Sequence, residues 1–268
     1  MTDNAAYRIP SLLALALPVL AGLAYLYAFG APQSFVLINA GALVMGLIWI
    51  AIAPRVSGLL SLRIIAGLAI VLLALPLVTG PEVKEVSRWV PIGPFQLHAG
   101  ALAVPLLAFA AVLDRSYTPA WLLGAVFLAT LQPDAGTLFG ICGLAIGLYF
   151  AKPDWKPGIV AITAFMAALY AHLRGMLAPQ PFVERVLSEL FIANPLAGLA
   201  LLLALVASLL LILRIAPQPL SVRTALAGTL GGFSLAALMS NYPSVLIGYG
   251  ASPIIGFALA LGIRWRDE

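Results

Sequence analysis

Polar and charged residues in this chain come in short clusters, and the intervals between them are almost wholly apolar. Ten such intervals stand out: 11–29, 34–53, 60–78, 97–113, 117–131, 135–151, 158–178, 194–213, 222–240 and 245–263. A bilayer core about 30 Å thick is crossed by about 20 apolar helical residues, because the backbone must satisfy its own hydrogen bonds there. The pattern therefore predicts an all-α fold, a polytopic integral membrane helix bundle of about ten transmembrane helices, with residues 1–268 forming one domain. Gly30 with Pro32, Pro54, Gly80 with Pro81, Pro153, Pro157 and Pro179 punctuate the connectors. The intervals 117–131 and 135–151 are short, and a partly re-entrant path is open for either.

Two segments between the spans are long enough to carry function: 79–96 and 179–193. In the second, Phe182, Val183, Val186, Leu187, Leu190 and Phe191 recur at helical spacing, while Glu184, Arg185, Ser188 and Glu189 fall on the other side. That spacing predicts a short amphipathic helix lying along the membrane surface.

Composition turns this pattern into a class. Hydrophobic residues make up 63% of the chain and charged residues 9%, against about 25% charged in an ordinary soluble domain, and the mean hydropathy is +1.08. A water-soluble protein cannot build its polar shell from so few charges. The pI near 9.4 does not indicate nucleic acid, since the Lys and Arg residues stand singly rather than in a patch. They report topology instead. With the N-terminus inside, Arg8, Arg55, Arg63, Arg115, Lys152, Lys156, Arg214, Arg223, Arg264 and Arg266 fall on the cytoplasmic side, and Lys84, Arg88, Arg174 and Arg185 outside. That excess of inside positive charge predicts an N-in, C-in arrangement. Cys142 has no second cysteine to pair with. The polar start with Arg8 runs directly into a full-length apolar stretch, so no cleaved signal peptide is expected.

An ionisable residue at membrane depth is costly and asks for a reason. Asp134 follows Gln132 and Pro133 in LQPDAGT. It suits the first turn of a helix, where a carboxylate favours the dipole, and it equally suits the mouth of a cavity that holds a polar substrate or a metal ion. Arg88-Trp89 is a membrane-surface anchor or a seat for an anionic headgroup, with the guanidinium on phosphate. His98 beside Gln96, and His172 near Arg174, are too few ligands for a metal centre. Gly248-Tyr249-Gly250 permits close backbone approach in the last span. No phosphate-binding loop, dinucleotide fingerprint, GxSxG or HExxH occurs.

Three blocks, in order, resemble the SEDS family (shape, elongation, division and sporulation), typified by RodA and FtsW. The first is SRWVPIGPFQLHAGAL, with Arg88, Trp89, Gly93, Phe95 and Gln96 on the family's pattern. The second is LQPDAGT, with Gln132, Pro133, Asp134, Gly136 and Thr137 in place. The third closes the chain, with Tyr249, Gly250 and Ser252 matching. The resemblance implies a multi-pass protein of the bacterial inner membrane that polymerises lipid II beside a class B penicillin-binding protein. It implies a substrate site of Arg88, Trp89, Gln96, Gln132, Asp134, Thr137, Tyr249 and Ser252, and no cofactor, though a divalent cation is left open.

Two departures bear on activity. Where the family carries an acid and a lysine, this chain has Leu97, His98, Ala99 and Leu102. Where the family carries the aspartate considered catalytic, this chain has Pro181, and no Asp lies between Trp155 and Arg266. Glycosyl transfer to a hydroxyl calls for a base, and Glu184 and Glu189 are the candidates. A compact non-polymerising SEDS-like protein and an active enzyme are both open. Such a protein serves cell shape, division or peptidoglycan synthesis through a lipid-linked precursor, a penicillin-binding or other division or elongation partner, and membrane lipids. From other classes, a transporter or flippase of a lipid-linked or small solute, and a structural subunit of a membrane complex, also fit ten spans.

Overall fold

The computed structural model describes residues 3–215 and 218–266. Its elements run α1 (Asp3–Ala28), α2 (Gln33–Ile52), β1 (Arg55–Val56), α3 (Leu59–Ala74), α4 (Pro76–Thr79), β2 (Trp89–Ile92), β3 (Phe95–His98), α5 (Ala99–Leu113), α6 (Thr118–Leu131), α7 (Ala135–Ala151), α8 (Trp155–Arg174), α9 (Val186–Ala193), α10 (Pro195–Leu213), α11 (Leu220–Met239), α12 (Ala251–Gly262) and β4 (Arg264–Trp265). Each of the ten apolar intervals lies on one of the longer helices. Six helices are long and apolar enough to cross a membrane, and α5, α6, α7 and α12 are shorter apolar helices.

Burial separates an inner from an outer set. α5 is buried almost throughout, and α7 and α12 over most of their length, as helices apolar on all sides require. The outer helices bury only a stripe and expose Leu37, Met45, Ile52, Leu60, Leu68 and Leu196, which is a surface for lipid rather than water. α7 packs on α11 through glycine. A Cβ added at Gly143 would stand 2.0 Å from the Gly228 carbonyl oxygen, and one at Gly228 equally close to the Gly143 oxygen. Small residues thus let two backbones touch where apolar burial alone gives little drive for helix association.

Three expectations need correction. The interval 97–113 begins as strand, because Leu97 and His98 close an antiparallel hairpin in which Trp89 pairs with His98 and Val90 with Leu97. Gly93, at φ 57, opens its two-residue turn, where a hairpin favours positive φ. The interval 245–263 becomes helical only at Ala251. The Gly250 amide bonds the Asn39 side chain, and Tyr249 donates to the Phe182 carbonyl, so that backbone is held by other segments. The third correction concerns the amphipathic helix over 182–191. Only Val186–Ala193 is helical, since Arg185 takes a left-handed conformation and Phe182 has φ 66. The apolar face of this helix enters the core through Val186, Leu187 and Leu190.

Candidate functional site

One end of the bundle gathers the β2–β3 hairpin, the N-termini of α5, α7 and α12, and the loops after α8 and α11. The two loops are stitched together. Ser244 N–H donates to the Val183 carbonyl at 2.8 Å and Tyr249 N–H to that of Phe182 at 2.7 Å. Val186 N–H donates to the Ser244 hydroxyl at 3.1 Å, and Glu184 bridges Pro243. Between this double loop and the hairpin lies a cavity of about 590 Å³, of the size small-ligand sites usually have. Arg88, His98, Glu184, Tyr242, Tyr249 and Ser252 are on its wall.

Arg88 opens the hairpin and is 1% exposed. Its guanidinium lies 4.7 Å from the Trp89 ring centroid and 5.3 Å from that of Tyr242, close enough for cation–π attraction. Its Nε and Nη1 reach no hydrogen-bond acceptor among the described residues. Buried guanidinium N–H groups normally find partners, so this one is poised for an anion. The positive dipole ends of three helices at the same end of the bundle favour the same charge.

Asp134 is wholly buried behind the wall as the N-cap of α7. Its carboxylate accepts from the Thr137 N–H at 3.1 Å and the Thr137 hydroxyl at 2.5 Å. His98 caps α5, its Nδ1 accepting from Ala101 N–H at 3.2 Å. In the neutral ring the proton then sits on Nε2, which faces Asp134 Oδ2 at 3.4 Å. The His98 backbone N–H donates to the Ser252 hydroxyl at 2.8 Å. Asp134, Thr137, His98 and Ser252 therefore tie three helix starts together.

The remaining sequence candidates divide. Trp89, Gln96 and Tyr249 line the cavity. Gln132 lies buried outside it and donates to the Leu73 carbonyl. Glu184 and Glu189, placed together on one polar face by the spacing, are separated. Glu189 is exposed, while Glu184 is 6% exposed on the cavity wall. Burial raises the Glu184 pKa above the usual carboxylate range, opposed by the Gln180 N–H and then by the Arg88 charge. Pro181 is exposed.

Two residues escaped the sequence reading. Asn39 of α2 donates to the Gly248 carbonyl and accepts from the Gly250 N–H, both at 3.0 Å, and so holds the backbone on either side of Tyr249. Tyr242 reads as a loop residue until its burial is known. A lone buried Asn in an apolar helix was the available signal for the first; the second had none.

No protein-family model matches the chain. It is similar in sequence to a probable peptidoglycan glycosyltransferase FtsW of Halorhodospira halophila (strain DSM 244 / SL1). The two are 31% identical over an alignment of 131 residues, which takes in 41% of this chain and 33% of that protein. The match thus spans about a third of that relative's length. In structure the chain is similar to the rod shape determining protein RodA of Thermus thermophilus, with TM-score 0.66 and 22% identity over 94% of this chain and 93% of that one. A mutant of the same RodA gives TM-score 0.68 and 22% identity over 94% of both chains. A chain from a peptidoglycan synthase complex gives 0.57 and 21% identity, over 92% of this chain and 96% of that one.

Proposed function

We infer that this chain, a SEDS-type multi-pass membrane protein by its fold and its kinship to FtsW, serves peptidoglycan synthesis by holding a lipid-linked glycan precursor in the 590 Å³ cavity. The observation that carries this reading is the buried Arg88, whose Nε and Nη1 meet no acceptor on the wall of a cavity of ligand size. A pyrophosphate between glycan and polyprenyl chain supplies the missing acceptors, and guanidinium–phosphate bonds are among the strongest available to a side chain.

The chemistry assigned to the site is glycosyl transfer. A sugar hydroxyl of the acceptor attacks the anomeric carbon of the donor, the bond from that carbon to the pyrophosphate oxygen breaks, and the lipid pyrophosphate leaves. Glu184 takes the hydroxyl proton; its buried place on the wall supports this role over that of the exposed Glu189. Asp134 and Thr137 fix the helix start behind the site. The cavity end faces the outside of the bacterial inner membrane in the N-in arrangement, and a class B penicillin-binding protein is the partner.

The test is lipid II polymerisation by the purified protein, alone and with its penicillin-binding partner. Wild type and Glu189→Gln are expected to make glycan strands, and Glu184→Gln to make none. Strands from Glu184→Gln at the wild-type rate overturn the assignment of the base. No strands from wild type, under conditions where a RodA works, overturn the polymerase reading.

A further inference from the structure

Arg88 is not the only wall residue with an unused polar group. The Tyr242 hydroxyl, with the Ala135 N–H and the Arg88 guanidinium on its acceptor side, donates to no acceptor among the described residues, and the residue is 3% exposed. The two lie side by side, the guanidinium 5.3 Å from the tyrosine ring centroid. A native structure rarely leaves one buried polar side chain unsatisfied on a cavity wall, and two adjacent ones point to a shared ligand.

We propose that the Tyr242 hydroxyl is a second hydrogen-bond donor of the cavity, binding beside Arg88 the pyrophosphate of a lipid-linked substrate. The inference rests on the reading of the cavity given above and adds to it a residue that is not among those matching the family's pattern. The ring is held from several sides. Gly136 lies beneath it, where an added Cβ would come to 2.8 Å from Tyr242 Cδ1, which explains the need for glycine two residues after Asp134. Asn241 on one flank donates to the Leu177 carbonyl at 3.0 Å, and Pro243 on the other bridges Glu184.

The hydroxyl also keeps its proton. Burial, and then the Asp134 charge, push its pKa up to about 12, with the Arg88 charge and hydrogen bonds from the Ala135 N–H and Arg88 opposing. At any working pH the group is a neutral donor. It therefore offers a hydrogen bond to an anion without adding to the charge that must be desolvated. Tyr242 and Arg88 together present donors from two side chains. They suit the two linked phosphate groups of a pyrophosphate better than a single phosphate.

The experiment is titration of undecaprenyl pyrophosphate and undecaprenyl monophosphate into the full chain in nanodiscs, with phosphatidylglycerol vesicles as competitor. Wild type, Tyr242→Phe and Arg88→Ala are compared. Tyr242→Phe keeps the ring and its contact with Arg88, and should weaken pyrophosphate binding about 10-fold, the usual value of a hydrogen bond to a charged group. The monophosphate should be affected less. Unchanged pyrophosphate affinity in Tyr242→Phe, with binding lost in Arg88→Ala, overturns the Tyr242 assignment alone. Unchanged affinity in both variants overturns the reading of the cavity itself. Equal displacement by phosphatidylglycerol means a phospholipid headgroup site, and overturns the pyrophosphate assignment. Should Tyr242→Phe fail to fold, 3-fluorotyrosine in place of Tyr242 gives the second readout. Its more acidic hydroxyl should tighten pyrophosphate binding, and no change overturns the proposal.

Discussion

The two ends of the bundle treat buried charge in opposite ways. At the cavity end Arg88 is buried with Nε and Nη1 unbonded. At the far end Asp114, wholly buried, closes α5 with Arg63 Nε 3.1 Å from its Oδ2, and the Trp121 indole donates to the same oxygen at 3.5 Å. Arg63 in turn lies over the Tyr117 ring. Nearby, Arg8 bonds the carbonyls of Ile50 and Ala53 where α2 ends, and β1 pairs in parallel with β4. At the far end the buried carboxylate has an ion-pair partner, although Asp114 Oδ1, Gln218 Oε1 and Arg223 Nε also meet no hydrogen-bond partner among the described residues. On the cavity wall the buried Arg88 has no ion pair among the described residues, and the proposed pyrophosphate would supply one. Ion pairing of the buried charge, present at Asp114 and absent at Arg88 among the described residues, is what differs between the two ends.

The largest expected break in this contrast comes from Arg88→Ala. It should weaken undecaprenyl pyrophosphate binding about 100-fold or more, since a buried charged donor is removed; a direct titration reads it. Glu184→Gln comes next. It should lower the polymerisation rate by about 100-fold or more while leaving precursor affinity near wild type, a split that initial rates and titration report together. The same residue sets a pH dependence. A base works ionised, so the rate should rise with pH through the Glu184 pKa. That pKa is raised by burial, so the midpoint should lie above the ordinary carboxylate range and vanish from the residual rate of Glu184→Gln.

Smaller effects should come from the scaffold. Gly228→Ala forces a Cβ against the Gly143 carbonyl and should cost about 2 kcal/mol through overpacking, seen as a lower thermal midpoint in detergent. Asp114→Asn removes an ion pair whose arginine is 42% exposed. It should cost about 1 kcal/mol or less and leave precursor binding intact.

The helix pattern was largely legible, because lipid demands apolar length: each of the ten apolar intervals lies on a helix, and six of those helices are long and apolar enough to cross a membrane. The QPDAGT block, too, could be read as a capped helix start, and Asp134 with Thr137 forms that cap. Glu184 was harder to place. Helical spacing put it beside Glu189 on a polar face, but the left-handed Arg185 breaks the helix between them and turns Glu184 inward. Tyr242 and Asn39 owe their roles to contacts with residues far along the chain. Local periodicity carries no trace of such contacts. The 245–250 segment misled for the same reason: its apolar composition suits a span, while long-range hydrogen bonds hold it as a loop.

The most direct measurement is one titration of undecaprenyl pyrophosphate into wild type, Arg88→Ala and Asp114→Asn in nanodiscs, with thermal midpoints recorded on the same samples. Binding lost in Arg88→Ala and kept in Asp114→Asn, with the larger fall in midpoint in Asp114→Asn, is the expected result. Full binding by Arg88→Ala would contradict the account, because the buried arginine would then be part of the scaffold too.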